Sequence, residues 1–216
     1  MSDCLQYAVW PLLDEDNCTL VTLGIGRDVL AELKLQEDFP QCHFIGADPT
    51  DVNGHPYRTE LGGDYHQVAI GAHNGKHIMH LLSPEMNETY YLTEVESRDL
   101  ITFLTEDAHL SGKPIDHLWM DIEGVEYPIV ENMIIPGVFD KAGITFCTWN
   151  VEFHNPENVI IDDEKVKIYD GVFDFILEKL VKRQILPLYI LRGDHLRAVF
   201  FNFASPYCLS KYIPCE

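Results

Sequence analysis

The chain has 216 residues, 46% of them hydrophobic, so residues 1–216 read as a single globular domain with a core of ordinary size. Its 15 Lys and Arg face 35 Asp and Glu, a formal net charge of -20 that repels DNA, RNA and anionic membrane surfaces at long range. No apolar run approaches the ~20 residues that a membrane span needs, and the opening MSDCLQYAVWPLL lacks the basic flank of a signal peptide.

No internal repeat or low-complexity tract interrupts the chain. Cys18 to Leu23 is a short β-rich run, followed by a glycine turn and by a helix over Asp28 to Phe39 with Val29, Leu30 and Leu33 on helical spacing. Cys42 to Ala47 is a second strand, and Asn53 to Asp64, with its glycines, proline and polar residues, reads as an irregular loop. Gln67 to Ile70 and Lys76 to Leu82 flank His73-Asn74-Gly75, an arrangement that predicts a hairpin. Ser97 is placed to cap a helix reaching about Asp107, with Asp99 in its first turn.

Ile115 to Met120 is a buried strand, Gly124 to Met133 a helix that tolerates Pro128 only in its first turn, and Ile144 to Val151 another strand. Asp170 to Arg183 carries one apolar stripe, Val172, Phe173, Ile176, Leu177, Leu180 and Val181, which is core packing. Ile185 to Leu191 and Arg197 to Phe203 close the chain as a pair joined at Gly193-Asp194; the Arg192-Gly193-Asp194 tripeptide is read as a turn. Strands alternating with helices and then a terminal pair indicate an α/β fold, a mostly parallel doubly wound sheet with an antiparallel C-terminal strand.

Ligands of such sheets bind beyond the carboxyl ends of the strands. The first strand ends in Thr22-Leu23-Gly24-Ile25-Gly26-Arg27, where glycines let backbone N–H groups approach a ligand. The second ends in Asp48-Pro49, a carboxylate about 20 residues past the glycine turn, the separation that suits a ribose. After Met120 come Asp121, Glu123 and Glu126, three carboxylates in six residues, and after Asn150 come Glu152 and His154 on the same side of an extended strand. Asn, carboxylate and imidazole at a strand end suit acid/base work; a helix-cap cluster and a buried structural histidine are the alternatives.

The six cysteines, at 4, 18, 42, 147, 208 and 215, form no C-x-x-C pair, so they read first as buried free thiols in a cytoplasmic protein. Asn17-Cys18-Thr19 and Asn87-Glu88-Thr89 fit the N-glycosylation pattern and leave a disulfide-bonded, secreted or lumenal protein as the rival.

In order, VTLGIGRD, FIGADP, QVAIGAHNGK, IDHLWMDIEGVEYPIV and WNVEFH resemble the FkbM-type methyltransferase domain over roughly Thr19 to His154, and the Asp-x-Glu-Gly-x-Glu block at Asp121, Glu123, Gly124 and Glu126 is that family's most distinctive motif. The pairing of Leu-Gly-Ile-Gly with Gly-Ala-Asp-Pro is similar to divergent animal members, notably nematode ones. The resemblance implies a Rossmann-like class I methyltransferase fold, whose seventh strand inserts antiparallel, and S-adenosylmethionine as cofactor. It further implies O-methylation of a small molecule or a sugar hydroxyl. On this reading Gly24, Ile25, Gly26 and Arg27 meet the amino-acid end of the cofactor, and Asp48 and Pro49 its ribose. Asp121 borders both cofactor and acceptor. His154 is then the general base, oriented by Glu152, with Asp121 and Glu123 beside the acceptor.

Thr22 stands where the family usually has an acidic residue, and Arg27 where a third small residue often completes the turn. A non-catalytic module with the same fold is therefore a second reading. A nicotinamide-dependent oxidoreductase is a third, weakened by the incomplete G-x-G-x-x-G. The scheme requires no metal, although the carboxylates and His154 offer ligands to Mg²⁺ or Ca²⁺.

Overall fold

Strand β1 (Cys18–Leu23) is buried on both faces, with Leu20, Val21 and Leu23 all fully enclosed, as befits a strand covered by helices on either side. Val21 and Leu23 join one core with Ile45, Leu118, Val130 and Val151, while Leu20 joins another with Leu35, Phe44 and Tyr57. The computed structural model describes residues 17–26, 28–82, 90–134, 137–154, 160–161, 164–165, 172–193 and 195–214.

From β1 the chain passes through α1 (Leu30–Asp38), β2 (Cys42–Asp48) and α2 (Asp51–Thr59) to β3 (Asp64–Gln67) and β4 (Ala69–Gly71). Strands β5 (Gly75–Leu82) and β6 (Tyr90–Asp99) lead to α3 (Leu100–Thr102), which continues as a π-helical turn over Phe103–Asp107. Then come β7 (Pro114–Met120), α4 (Glu126–Ile134), α5 (Val138–Ala142) and β8 (Thr145–Phe153). The short β9 (Ile160–Ile161) and β10 (Glu164–Lys165) pair with each other, and α6 (Val172–Lys182), β11 (Ile185–Arg192), β12 (Leu196–Asn202) and α7 (Pro206–Tyr212) complete the order.

The main sheet runs β11-β12-β8-β7-β1-β2-β3. Strands β8, β7, β1, β2 and β3 are parallel, and β12 inserts antiparallel between β8 and β11, the arrangement expected of a Rossmann-like methyltransferase. Register decides where the site lies. Leu23 pairs with Ala47 and with Met120, and Met120 pairs with Val151. The next residues, Gly24, Asp48, Asp121 and Glu152, therefore stand at one level, Asp48 closing β2 and Glu152 one residue short of the end of β8.

Several sequence expectations are corrected. Asn53 to Asp64 is not a loop throughout, since α2 covers its first half with Pro56 inside the helix. Tertiary packing outweighs the poor propensity there: Tyr57 is fully buried, and Gly54 lies so close to the Tyr65 ring that a Cβ would come within 2.2 Å of it. The hairpin across Asn74-Gly75 is absent, because β6 lies between the two strands, parallel to β4 and antiparallel to β5. Ser97 does not cap a helix; it sits in β6 with its hydroxyl donating to His73 O at 3.0 Å, and the Asp99 carboxylate accepts from Thr102 N–H instead. In α6, Phe173, Ile176 and Leu180 are buried as expected, whereas Val181 is exposed. Asp194, half of the expected turn, lies outside the described residues, as do Asn87, Cys4 and Cys215.

The free-thiol expectation is also overturned for the four described cysteines, which form Cys18–Cys42 and Cys147–Cys208 disulfides. Spacing along the chain could not reveal either. The first joins residues in register on adjacent strands, with Cα atoms 4.4 Å apart, and the second joins β8 to α7, with Cα atoms 5.3 Å apart.

Candidate active site

Gly24 is held in place from two sides. Its N–H donates to Ala47 O at 2.9 Å, and Asp121 N–H donates to Leu23 O at 2.9 Å, so the turns after β1, β2 and β7 are laced together. With φ at +79°, Gly24 passes so near the Asp121 carbonyl that a Cβ would lie 1.8 Å from its oxygen. The glycine thus serves the approach of Asp121, and its N–H is not directed at a ligand as the sequence suggested. Gly26, with φ +68°, has no atom of the described residues within 4 Å of where a Cβ would stand.

Asp48 is 5% exposed and holds this turn together. Its Oδ2 accepts from Ile25 N–H at 3.2 Å, its Oδ1 from the N–H and hydroxyl of Thr50 at 2.8 Å each, and the Asn53 amide donates to both oxygens at 3.2 Å. Pro49 is partly exposed and its carbonyl accepts from Gln67 at 3.4 Å. Arg27 lies outside the described residues.

Beyond β7, Glu123 adopts φ +58° and Gly124 φ +111°, a sharp turn that needs support. Glu126, fully buried at the start of α4, supplies it: Oε1 accepts from Ile122 N–H and Gly124 N–H at 3.1 Å each. The same oxygen lies 2.8 Å from His154 Nδ1, while Oε2 is buried with no hydrogen-bond partner among the described residues. His154 Nε2 faces Asp121 Oδ1 and Glu123 Oε2, each at 3.5 Å.

Burial pulls the His154 pKa down, but its hydrogen bond to Glu126 and the charges of Glu126, Asp121 and Glu123 outweigh that and push it up to about 9. Asp121 is pushed up to about 7, first by loss of hydration and then by Glu152, Glu123 and Glu126, with His154 opposing. Its side chain is still 38% exposed, so the group that is costly to charge can also be reached from solvent. The upward shift favours the charged imidazole near neutral pH, which weighs against the general-base role expected of His154.

Glu152 does not orient His154. It makes a bidentate pair with Arg197, Nε to Oε2 at 2.8 Å and Nη2 to Oε1 at 3.0 Å, directly across the β8–β12 register. The structure does gather Asp121, Glu123 and His154, as the sequence proposed, and adds Glu126 and His195, whose ring centroid lies 4.5 Å from that of His154. Among the described residues two sets could hold a metal ion, Asp121–Glu126–His154 and Glu152–His154–His195, with one ligand atom from each residue within 4.8 Å of the others. Glu126 was legible as the third acid of its motif, although its partner was not. His195 and Arg197 carried no local signal, because only the antiparallel return of β12 brings them to β8.

The profile of the methyltransferase FkbM domain matches residues 3–184. No curated protein matches the chain. Among solved structures, the METTL16 methyltransferase domain aligns with TM-score 0.47 and 11% identity over 88% of this chain and 62% of that one, so the chain spans less than two thirds of it. Aeropyrum pernix fibrillarin with bound S-adenosyl-L-methionine gives 0.46 and 10%, covering 87% and 67%. Human methyltransferase-like protein 13 with SAH gives 0.43 and 13%, covering 90% and 75%.

Proposed function

Because the chain belongs to the FkbM methyltransferase family, we propose that it is an S-adenosylmethionine-dependent O-methyltransferase acting on a hydroxyl of a small molecule or sugar, with both sites in one domain over residues 1–216. The observation that carries this reading is Asp121, open to solvent beside His154 and level with the glycine turn and Asp48. The open space over Gly26 and the buried carboxylate at the end of β2 fit an adenosine-bearing cofactor lying across the turns after β1 and β2. Gly26 and Asp48, with Pro49 and Arg27 at their sides, would hold it. When bound, S-adenosylmethionine supplies an electrophilic methyl group.

The residues of the chain then handle the acceptor. The Asp121 carboxylate takes the proton of the acceptor hydroxyl, a task suited to a group that titrates near neutrality. Charged His154 keeps the ionised form of Asp121 accessible, and Glu126 fixes the ring and the turn that carries Asp121. Glu123 borders the acceptor, whose hydroxyl groups it can accept from. Glu152, neutralised by Arg197, closes the cleft on the β12 side. Proton acceptor and positioning partners are all side chains, so the scheme runs without a metal, and EDTA is expected to leave the rate unchanged.

Asp48 favours a second reading, a module that binds nucleoside weakly and does not turn over, because its oxygens already serve Ile25, Thr50 and Asn53. Calorimetry with S-adenosylmethionine and S-adenosylhomocysteine, followed by methyl transfer from labelled cofactor to a panel of sugars and polyols, separates the two. Binding of both nucleosides with labelled product is expected. Binding without product on any acceptor favours the module, and binding of neither removes both readings.

A further inference from the structure

All four cysteines among the described residues are spent in disulfides, and both disulfides sit at the amino-terminal ends of the parallel strands, the end of the sheet away from the site. Cys18 and Cys42 are the first residues of β1 and β2, roughly 20 Å along the chain direction of β1 from Gly24 at about 3.3 Å per residue. Cys147 lies near the start of β8 and ties it to Cys208 of α7. Exposures of 5%, 8%, 0% and 0% for the four residues leave the sulfurs out of reach of a substrate or a redox partner. Disulfides that work in a reducing cytosol are transient and accessible, so this pair belongs to a structural class that persists in oxidising compartments.

The same end of the sheet is otherwise built for holding. Asp116 accepts from Thr19 N–H and Lys211 Nζ at 2.8 Å each and from the Tyr212 hydroxyl at 2.7 Å, so α7 is fastened by charge as well as by sulfur. Asn17, immediately before β1, is exposed at this end and begins the sequence Asn17-Cys18-Thr19. The carbonyl oxygen of Asn17 accepts from Lys211 Nζ, which leaves its side-chain amide outside that contact. A glycan there would project from the end of the molecule opposite the cleft.

We propose that this protein matures in an oxidising secretory compartment, where the two disulfides form and Asn17 receives an N-linked glycan. Each pair of thiols gives up two electrons and two protons to a disulfide oxidoreductase, whose own disulfide is reduced to a dithiol. At Asn17 the amide nitrogen bonds to the anomeric carbon of a lipid-diphosphate-linked oligosaccharide. The carbon–oxygen bond breaks, and the lipid diphosphate leaves as the amide loses a proton.

The test uses the protein isolated from its native source, with thiols alkylated in denaturant before any reduction. Cys18, Cys42, Cys147 and Cys208 are expected to label only after reduction, and non-reduced digests should contain Cys18–Cys42 and Cys147–Cys208 linked peptides. Deglycosylation by an amidase in heavy-oxygen water should convert Asn17 to heavy-labelled Asp. Asn17→Gln, expressed through the same compartment, should lose the corresponding mass while keeping the wild-type melting temperature. Alkylation of these cysteines without reduction, or an Asn17 unmodified in every molecule, overturns the proposal. Neither result bears on methyl transfer, so failure here is distinct from failure of the functional reading.

Discussion

His154 Nδ1 lies 2.8 Å from Glu126 Oε1, and this contact between residues 28 positions apart joins the end of β8 to the turn after β7. The oxygen that meets the imidazole also receives the N–H groups of Ile122 and Gly124, so ring and turn share one anchor. Charge on His154 and the position of Asp121 therefore depend on a single buried carboxylate.

Glu126→Gln keeps an oxygen for the two N–H groups but removes the charge. His154 then loses the interaction that does most to raise its pKa, while burial goes on lowering it. The titration midpoint of His154, followed by NMR, is expected to fall from about 9 by more than about one pH unit, with turnover reduced ~10-fold or more. An unmoved midpoint would show that the Glu126 contact does not set the charge. Glu126→Ala should cost about 1–3 kcal/mol in stability, because two buried N–H groups lose their acceptor.

The rate of methyl transfer should rise as Asp121 loses its proton through about pH 7 and decline as His154 loses its charge through about pH 9. Asp121→Asn should remove the rising limb and lower turnover by roughly 10²–10⁴-fold with cofactor affinity nearly intact. A single rise near pH 9 would return the base role to His154. Stability has its own sign: both groups titrate higher in the fold than ordinarily, from 6.5 for His154 and 3.8 for Asp121. The contribution of each is complete below its ordinary value and is lost as the pH climbs through the folded one.

Glu32, 3% exposed beneath the glycine turn, accepts from the Thr22 hydroxyl at 3.0 Å and is pushed by burial from 4.5 up to about 7. Its proton is held more tightly in the fold, so stability falls as the pH rises through about 7. Glu32→Gln keeps the acceptor for Thr22 and should be more stable than wild type by on the order of 1–3 kcal/mol at pH 8, with little gain at pH 4. Urea unfolding at the two pH values measures this, and an equal gain at both would refute a titration effect.

Gly24→Ala places a Cβ against the Asp121 carbonyl and should displace the turn that carries Asp121, lowering both melting temperature and turnover. Gly26→Ala meets no atom of the described residues within 4 Å and should cost only about 1 kcal/mol for its left-handed backbone. If the two variants lose stability equally, the close approach at Gly24 is not what requires glycine.

Much of the fold was legible because its signals are local. β1, β2, β7, β8 and the final strands are apolar runs punctuated by glycine and polar turns, and the residue after each strand can be read without knowing the sheet order. That is why Gly24, Asp48, Asp121 and Glu152 were found together as candidates. The hairpin at Asn74-Gly75 misled because a turn signal is silent about a third strand arriving from residues 90–99. α2 was missed because the burial of Tyr57 and Gly54, which offsets Pro56, is a tertiary property.

By itself the sequence determined the alternation of strands and helices, the acidic surface and the residue types that stand at the strand ends, since these follow from periodicity and chain order. Only the tertiary structure decided the partnerships: Glu126 rather than Glu152 with His154, Arg197 with Glu152, Asp121 O against Gly24, and Cys18 with Cys42. The physical reason is that a hydrogen bond, an ion pair or a disulfide depends on distances of a few ångströms, and those distances are set by strand register and layer packing between segments far apart in the chain.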